Sequence, residues 1–318
     1  MSIISKDISK AVHLLQQDDL VAIPTETVYG LAGNIFSEKA IKKIFETKQR
    51  PLFNPLIVHI PNKEYIAQIV SEIPEKAKLL AAKFWPGSMT LVLQKKAIIP
   101  DVITAGKDTV AVRVPNHPVT LELLSKLDFP LAAPSANPFN SISPTKPEHV
   151  ENYFKDSIQM VLDGGICKSG IESTIIGFEN NEPVIYRLGA LAVEEIEKVV
   201  GKVAIKNKSE ENPNAPGMLA KHYAPKTKTI LSENVLLDIE EYAEKKIGVI
   251  SFKTSYTSSK ITTQIVLSIK NDLAEATANL YSAMHELDAE RLDIIIIEKM
   301  PEIGLGISMN DRLFRATH

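Results

Sequence analysis

Short apolar runs alternate with amphipathic stretches along most of the 318 residues, the pattern of an α/β protein. Ile8, Ala11, Val12 and Leu15 fall on one face of a predicted first helix, with Ser5 or Asp7 in reach as its cap. The run LVAIPT reads as a short strand that opens into a loop, TETVYGLAGN. Ser37 then caps a second helix whose apolar side carries Ala40, Ile41, Ile44 and Phe45. Further strands are predicted at PLIVHI, SMTLVLQ, TVAVRV, IQMVLD, STIIGF and PVIYRL. Several end in polar residues, so their loops can gather into one cleft.

The pattern breaks from about Lys206 to Lys226. KNKSEENPNAPGMLAKHYAPK is polar, holds three prolines and a glycine, and shows no sustained period. Connections of this kind are linkers or active-site lids. Beyond it KTILS, IGVISF, TQIVLS and LDIIIIEKM read as strands, with LLDIEEYAEKK and NDLAEATANLYSAMHELDAER as helices. The expected organisation is a catalytic α/β domain over residues 1–205, a linker and candidate lid over 206–226, and a small α/β domain over 227–318.

Composition narrows the function classes. Hydrophobic residues make up 44% and charged residues 24%, as in ordinary folded proteins. The net charge of −3 lies beyond residue 225, and neither part has the broad basic face of a duplex-DNA binder. A single cysteine, Cys167, permits no internal disulfide and fits a reducing compartment. The first residues lack a basic segment followed by an apolar run, and no stretch of about 18 apolar residues occurs. A cytoplasmic location without membrane contact is the expectation.

Candidate chemistry sits in separate short stretches. Lys48-Gln49-Arg50-Pro51, with Asn54 following, places two cations after a predicted helix, suited to a polyphosphate or carboxylate, or simply to the helix dipole. Ala132-Ala133-Pro134-Ser135-Ala136-Asn137, continuing to Ser141 and Ser143, offers hydroxyl, amide and backbone groups to phosphate oxygens, although such turns also form for local reasons. Strand alternation puts Thr109, Ala111 and Arg113 on one face; Arg113, like Arg187 in PVIYRLG, needs a carboxylate, a phosphate or the sheet edge. The hydroxyls of Thr25 and Thr27, before Tyr29 and Gly30, can hold an amino-acid ligand or close a turn. His59, Ser173 and Thr174 lie in strand-like runs where a core role competes with a functional one. No metal-ligand spacing, Walker loop or GxGxxG is present, and nothing local marks Cys167 as a nucleophile.

Taken together and in order, PTETVYGLAG, KQRP with NPL and His59, FWPGSMTLVL, VAVRVP, APSAN with Ser143, GIESTI with YRLG, and PGMLAKHYAP resemble the threonylcarbamoyl-adenylate synthase family in its long, two-domain form. The resemblance implies an open, twisted mixed-sheet YrdC-like catalytic domain with a large concave cavity, joined to a small Rossmann-like α/β domain. It implies synthesis of threonylcarbamoyl-AMP from ATP, L-threonine and bicarbonate, with Mg²⁺ accompanying ATP. The product would pass to a tRNA threonylcarbamoyl-transferase complex that modifies tRNAs reading ANN codons.

Carried across residue by residue, Lys48, Arg50, Ser135 and Asn137 form the implied catalytic tetrad. Arg50, Asn54, Thr109, Ser135, Ser143, Arg187 and Tyr223 would face ATP. Thr27, His59, Arg113, Ala133 and Ser173 would hold threonine, supported by Thr25, Tyr29 and Thr174. The HYAP segment is the candidate lid. Two rivals stay in view. A non-catalytic RNA-binding module would bind tRNA without consuming ATP, with weak binding at best given the balanced charge. A carbamoyl-transfer maturation factor would need cysteine clusters, and one cysteine argues against it.

Overall fold

The structure is a computed structural model that describes residues 3–207, 215–216, 218 and 222–317. Most of the linker over 208–221 therefore lies outside the described residues, while the HYAP segment, 222–225, lies within them.

Among the described residues, eleven strands form one large sheet: β1 (Ile3–Ser5), β2 (Val21–Ile23), β3 (Gly30–Asn34), β4 (Ile57–His59), β5 (Met89–Gln94), β6 (Thr109–Arg113), β7 (Leu131–Ala132), β8 (Met160–Leu162), β9 (Thr174–Glu179), β10 (Glu182–Arg187) and β11 (Ala204–Ile205). Their order is β1-β8-β2-β3-β7-β4-β6-β5-β9-β10-β11. The sheet is mixed: β4 runs parallel to β6, whereas β7 is antiparallel to both β3 and β4. A second sheet, β12 (Thr229–Ser232), β13 (Ile247–Ser251), β14 (Ile261–Val266) and β15 (Ile294–Glu298), has the order β12-β15-β13-β14 and is parallel throughout. The expected α/β class, a large mixed sheet with a small parallel one, is what the chain adopts. Among the described residues no helix is long and apolar enough to cross a membrane.

The predicted caps hold. Asp7 accepts from the Lys10 amide at 2.9 Å and Ser37 from the Ala40 amide at 3.1 Å, each cap adding about 1 kcal/mol to its helix. One expectation is corrected: the end of the TETVYGLAGN loop is strand β3. Its glycines hid it, because they break the apolar alternation of a strand. They are there for close packing. A Cβ on Gly30 would come within 3.1 Å of the Ala133 Cβ, and one on Gly33 within 3.1 Å of the Leu20 side chain.

The large sheet buries one face against helices, with Leu31, Val58, Leu91, Val112 and Ile185 fully buried in its main core. Its other face carries a smaller apolar patch of Ile57, Val92, Ala111, Ile175, Val184 and Tyr186, against which Ala215 and Met218 of the connecting segment pack. The small sheet and its helices close around Val28, Ile142, Ile171 and Tyr223, so one core joins both parts of the chain.

Candidate active site

The patched face of the large sheet carries the cationic residues. Parallel pairing sets Ile57 opposite Ala111 and His59 opposite Arg113, so period two turns all four to the same side. Arg187 reaches that side by another route. The β9–β10 register jumps between Ile185 and Arg187, a bulge at Tyr186 that brings Arg187 opposite Ile175. Consecutive residues Tyr186 and Arg187 thereby share a face, which regular alternation forbids.

A hollow opens here, lined by Arg50, Ala133, Ser135, Glu172, Arg187 and Tyr223 together with Val28, Ile57, Pro134, Pro216 and His222. Arg50 donates to the carbonyls of Asn54 at 3.3 Å and Pro55 at 2.9 Å. Arg187 donates to the Ser173 carbonyl at 3.1 and 2.8 Å, the Ser173 hydroxyl at 3.0 Å and the Pro216 carbonyl at 3.3 Å. No carboxylate among the described residues forms an ion pair with either guanidinium. Burial, and then the charge of Arg187, pushes Arg50 down to about 9; burial lowers Arg187 as well. Two buried cations held only by neutral groups are costly unless an anion joins them. Asn54 stands beside them, fully buried with both amide atoms unpartnered.

Lys48 is placed behind this wall. Its ammonium donates to the carbonyls of Ser135, at 2.5 Å, and Asn137, so it fastens the Ser135–Asn137 loop from the rear. Burial, and then Arg50, lowers its pKa well below that of a free lysine. Asn137 donates to the carbonyls of Pro138 at 3.0 Å and Ser141 at 2.9 Å, with its own Oδ1 unpartnered.

Beside the hollow lies a second polar group. Arg113 donates to the Gly87 carbonyl at 3.1 Å and the Thr27 hydroxyl at 2.9 Å, and pairs with Glu26 at 2.7 Å. The Thr25 hydroxyl donates to the Val28 carbonyl at 2.6 Å, so the 2.8 Å contact between Thr27 and Thr25 is a donation by Thr27. Ser173 hydrogen-bonds Thr90 at 2.8 Å. His59 is buried with Nδ1 unpartnered; burial, and then Arg113, pushes it down to about 3, so its ring is neutral.

The other named residues lie elsewhere. Thr109 lines a separate hollow with Gln94, Phe178 and Asn180. Tyr29 donates to the Gly165 carbonyl at 2.8 Å and Thr174 to the Leu191 carbonyl at 2.7 Å, both fastening turns. Ser143 donates to Glu172 at 2.5 Å. Cys167 is buried and its thiol is pushed up to about 12, which leaves it no nucleophilic character.

Four charged or aromatic residues escaped the reading of the sequence: Glu26, Glu172, His222 and Arg312. Glu26 and Glu172 are acids in otherwise apolar or hydroxyl-rich stretches, a signal of a buried partner. Arg312 shares the buried face of the helix Leu305–Thr317 with Met309, Leu313 and Ala316, a charge on an apolar stripe.

Comparison with known proteins agrees with this architecture. Residues 13–189 match the Sua5_yciO_yrdC family, described as Telomere recombination, and residues 191–317 match Sua5_C, described as Threonylcarbamoyl-AMP synthase, C-terminal domain. The threonylcarbamoyl-AMP synthase of Pyrococcus abyssi is 42% identical over 321 residues, covering 96% of this chain and 93% of the relative. That of Bacillus subtilis is 39% identical, covering 97% and 92%. The crystal structure of P. abyssi Sua5 complexed with L-threonine superposes with a TM-score of 0.92 at 40% identity, covering 100% of this chain and 97% of that one.

Proposed function

The chain belongs to the Sua5/YciO/YrdC family in its threonylcarbamoyl-AMP synthase form, and on that premise we propose that it joins L-threonine, bicarbonate or carbon dioxide, and ATP. It is a nucleotidyltransferase. In the proposed reaction the threonine amine adds to carbon dioxide and loses a proton, giving a carbamate. A carbamate oxygen then bonds the α-phosphorus of ATP, and the bond from that phosphorus to pyrophosphate breaks. No covalent protein intermediate is needed. The protein's work is to position two anions, stabilise the phosphate charge and keep water from the carbamate.

One observation carries this reading: Arg50 and Arg187, both buried, line one hollow with no carboxylate paired to them among the described residues. Such a wall suits a polyphosphate, with Asn54, Ser135 and Tyr223 beside it. Lys48 acts from behind by fixing the Ser135–Asn137 loop. Threonine sits toward Thr27, His59, Arg113, Ala133 and Ser173. Arg113 donates Nε to Gly87 and Nη1 to Thr27, while Nη2 pairs with Glu26 without a hydrogen bond and is the nitrogen left for the amino-acid carboxylate. The described residues bring no three His, Cys, Asp or Glu side chains together, and both oxygens of Glu172 are engaged. Mg²⁺ would enter with ATP and share the charge of its phosphates.

The product serves a tRNA threonylcarbamoyl-transferase that acts beside the anticodon of tRNAs reading ANN codons, in the cytoplasm where ATP and tRNA meet. Pyrophosphate release with each of threonine, bicarbonate and ATP omitted in turn tests the reaction. Release is expected only with all three. Release without threonine, or tRNA retention with no ATP consumed, would favour a different activity.

A further inference from the structure

One carboxylate stands in the wall of the proposed nucleotide hollow, and the far end of the chain holds it. Glu172 lies 109 residues before Tyr281 and 140 before Arg312, yet touches both. Its Oε1 accepts from the Ser143 hydroxyl at 2.5 Å, and its Oε2 from the Tyr281 hydroxyl at 3.1 Å and the Arg312 Nε at 2.9 Å. Arg312 is 1% exposed and comes from the helix Leu305–Thr317. Its Nη2 donates to the Leu188 carbonyl, one residue past Arg187, at 2.5 Å, and its Nη1 to Asp311 at 2.8 Å. Its guanidinium lies 4.9 Å from the Tyr223 ring centre. Two lining residues of the hollow, Glu172 and Tyr223, and the Leu188 carbonyl next to Arg187 thus converge on one side chain.

We propose that Arg312 is a positioning residue of the nucleotide site, supplied by the C-terminal part of the chain to neutralise Glu172 from behind. The inference rests on the reading of the hollow as the ATP site. An unneutralised carboxylate in that wall has two outcomes, both adverse to a polyphosphate. It repels the phosphates directly, or it captures a neighbouring guanidinium that the phosphates need. Arg312 removes both by engaging Glu172 on the side away from the hollow, so Arg187 keeps its neutral partners. Burial alone would raise the Glu172 carboxyl; Arg312 and then Arg187 outweigh it and hold Glu172 down at about 2, so it stays a carboxylate.

The test uses the full-length protein with Mg·ATP, threonine and bicarbonate. Arg312→Met is expected to raise the KM for ATP about tenfold or more while the KM for threonine stays within about twofold. Adding Glu172→Gln to Arg312→Met is expected to recover most of that loss, because no bare charge then remains in the wall. A wild-type KM for ATP in Arg312→Met overturns the proposal. So does a double variant as impaired as the single one, which would mark Arg312 as a packing residue only. Should Arg312→Met not fold, Arg312→Lys decides. Its ammonium keeps a positive charge beside Glu172, so the KM for ATP is expected to stay within about threefold of wild type; a tenfold rise overturns the proposal. Wild-type protein that consumes no ATP would instead remove the nucleotide reading itself.

Discussion

Arg50 and Lys48 are two residues apart, both cationic and both buried, yet they do different work. Lys48 spends its donors on two carbonyls of the loop; Arg50 spends its on Asn54 and Pro55 while lining the hollow. The left-handed Gln49 between them, with φ of 52°, ends the helix Glu38–Lys48 and lets the chain turn. Arg50→Ala is accordingly expected to cut kcat/KM for ATP by a factor equivalent to about 2–4 kcal/mol, the worth of a charge-assisted contact to the transferred phosphate. Steady-state kinetics at varied ATP, with a melting curve showing an intact fold, checks it; unchanged kcat/KM would move the site elsewhere. Lys48, Arg50, Asn54, Ser135, Arg187 and Tyr223 could be named from ordered motifs in the sequence. Glu26 as the partner of Arg113 could not, because their pairing depends on the packing of strands far apart in the chain.

Most strands were legible from their apolar runs and two helices from their local caps, whereas the helices Pro147–Phe154 and Leu305–Thr317 were not read from the sequence. Asp7 and Ser37 announce two helix starts directly. Strand β3 did not announce itself, since its glycines are chosen by neighbours contributed from elsewhere. The bulge of β10 is less visible still. EPVIYR alternates as any strand does, and only the pairing with β9 shows that Tyr186 and Arg187 point the same way. Gly177 makes room for that bulge: a Cβ there would lie 2.0 Å from the Tyr186 ring. Gly177→Ala is expected to displace Tyr186, costing about 1–3 kcal/mol of stability as an overpacking change, and to shift Arg187 enough to weaken ATP use. Chemical denaturation together with the KM for ATP measures both; a variant with wild-type values for each would show that the bulge does not need this glycine.

Across the whole molecule, the two sheets meet through more than apolar packing. His149, in the helix Pro147–Phe154, stacks on His285, in the helix Leu273–Ala289, with ring centres 3.8 Å apart. The Thr145 amide donates to His149 Nδ1 at 3.3 Å, and His285 Nε2 lies 3.2 Å from the Ser143 carbonyl. Burial, reinforced by the neighbouring ring and by Lys146, lowers His149 to about 3; burial, opposed by Ser143 and Asp288, lowers His285 to about 4. Both folded values lie below the usual 6.5, so the unfolded chain takes up protons first. Their contribution to stability is whole above about pH 6.5 and declines as pH falls from there toward 4. His285→Gln retains a donor for the Ser143 carbonyl and is expected to flatten that decline. Melting temperatures of both proteins from pH 7 to pH 4 check this; parallel curves would exclude the stacked pair as a source of acid sensitivity.

The helix Leu305–Thr317 holds both ends of the connecting segment as well as Glu172. Arg315 donates to the Asn207 carbonyl at 2.7 Å, Asn207 donates to Asp311 at 2.9 Å, and the Arg315 carbonyl accepts from the His222 amide at 3.1 Å. A chain cut after Asp311 would lose both arginines at once. The clasp would come undone although every strand had been translated. For anyone dividing this chain into halves to study them separately, the first half alone would leave Glu172 without its Arg312 partner.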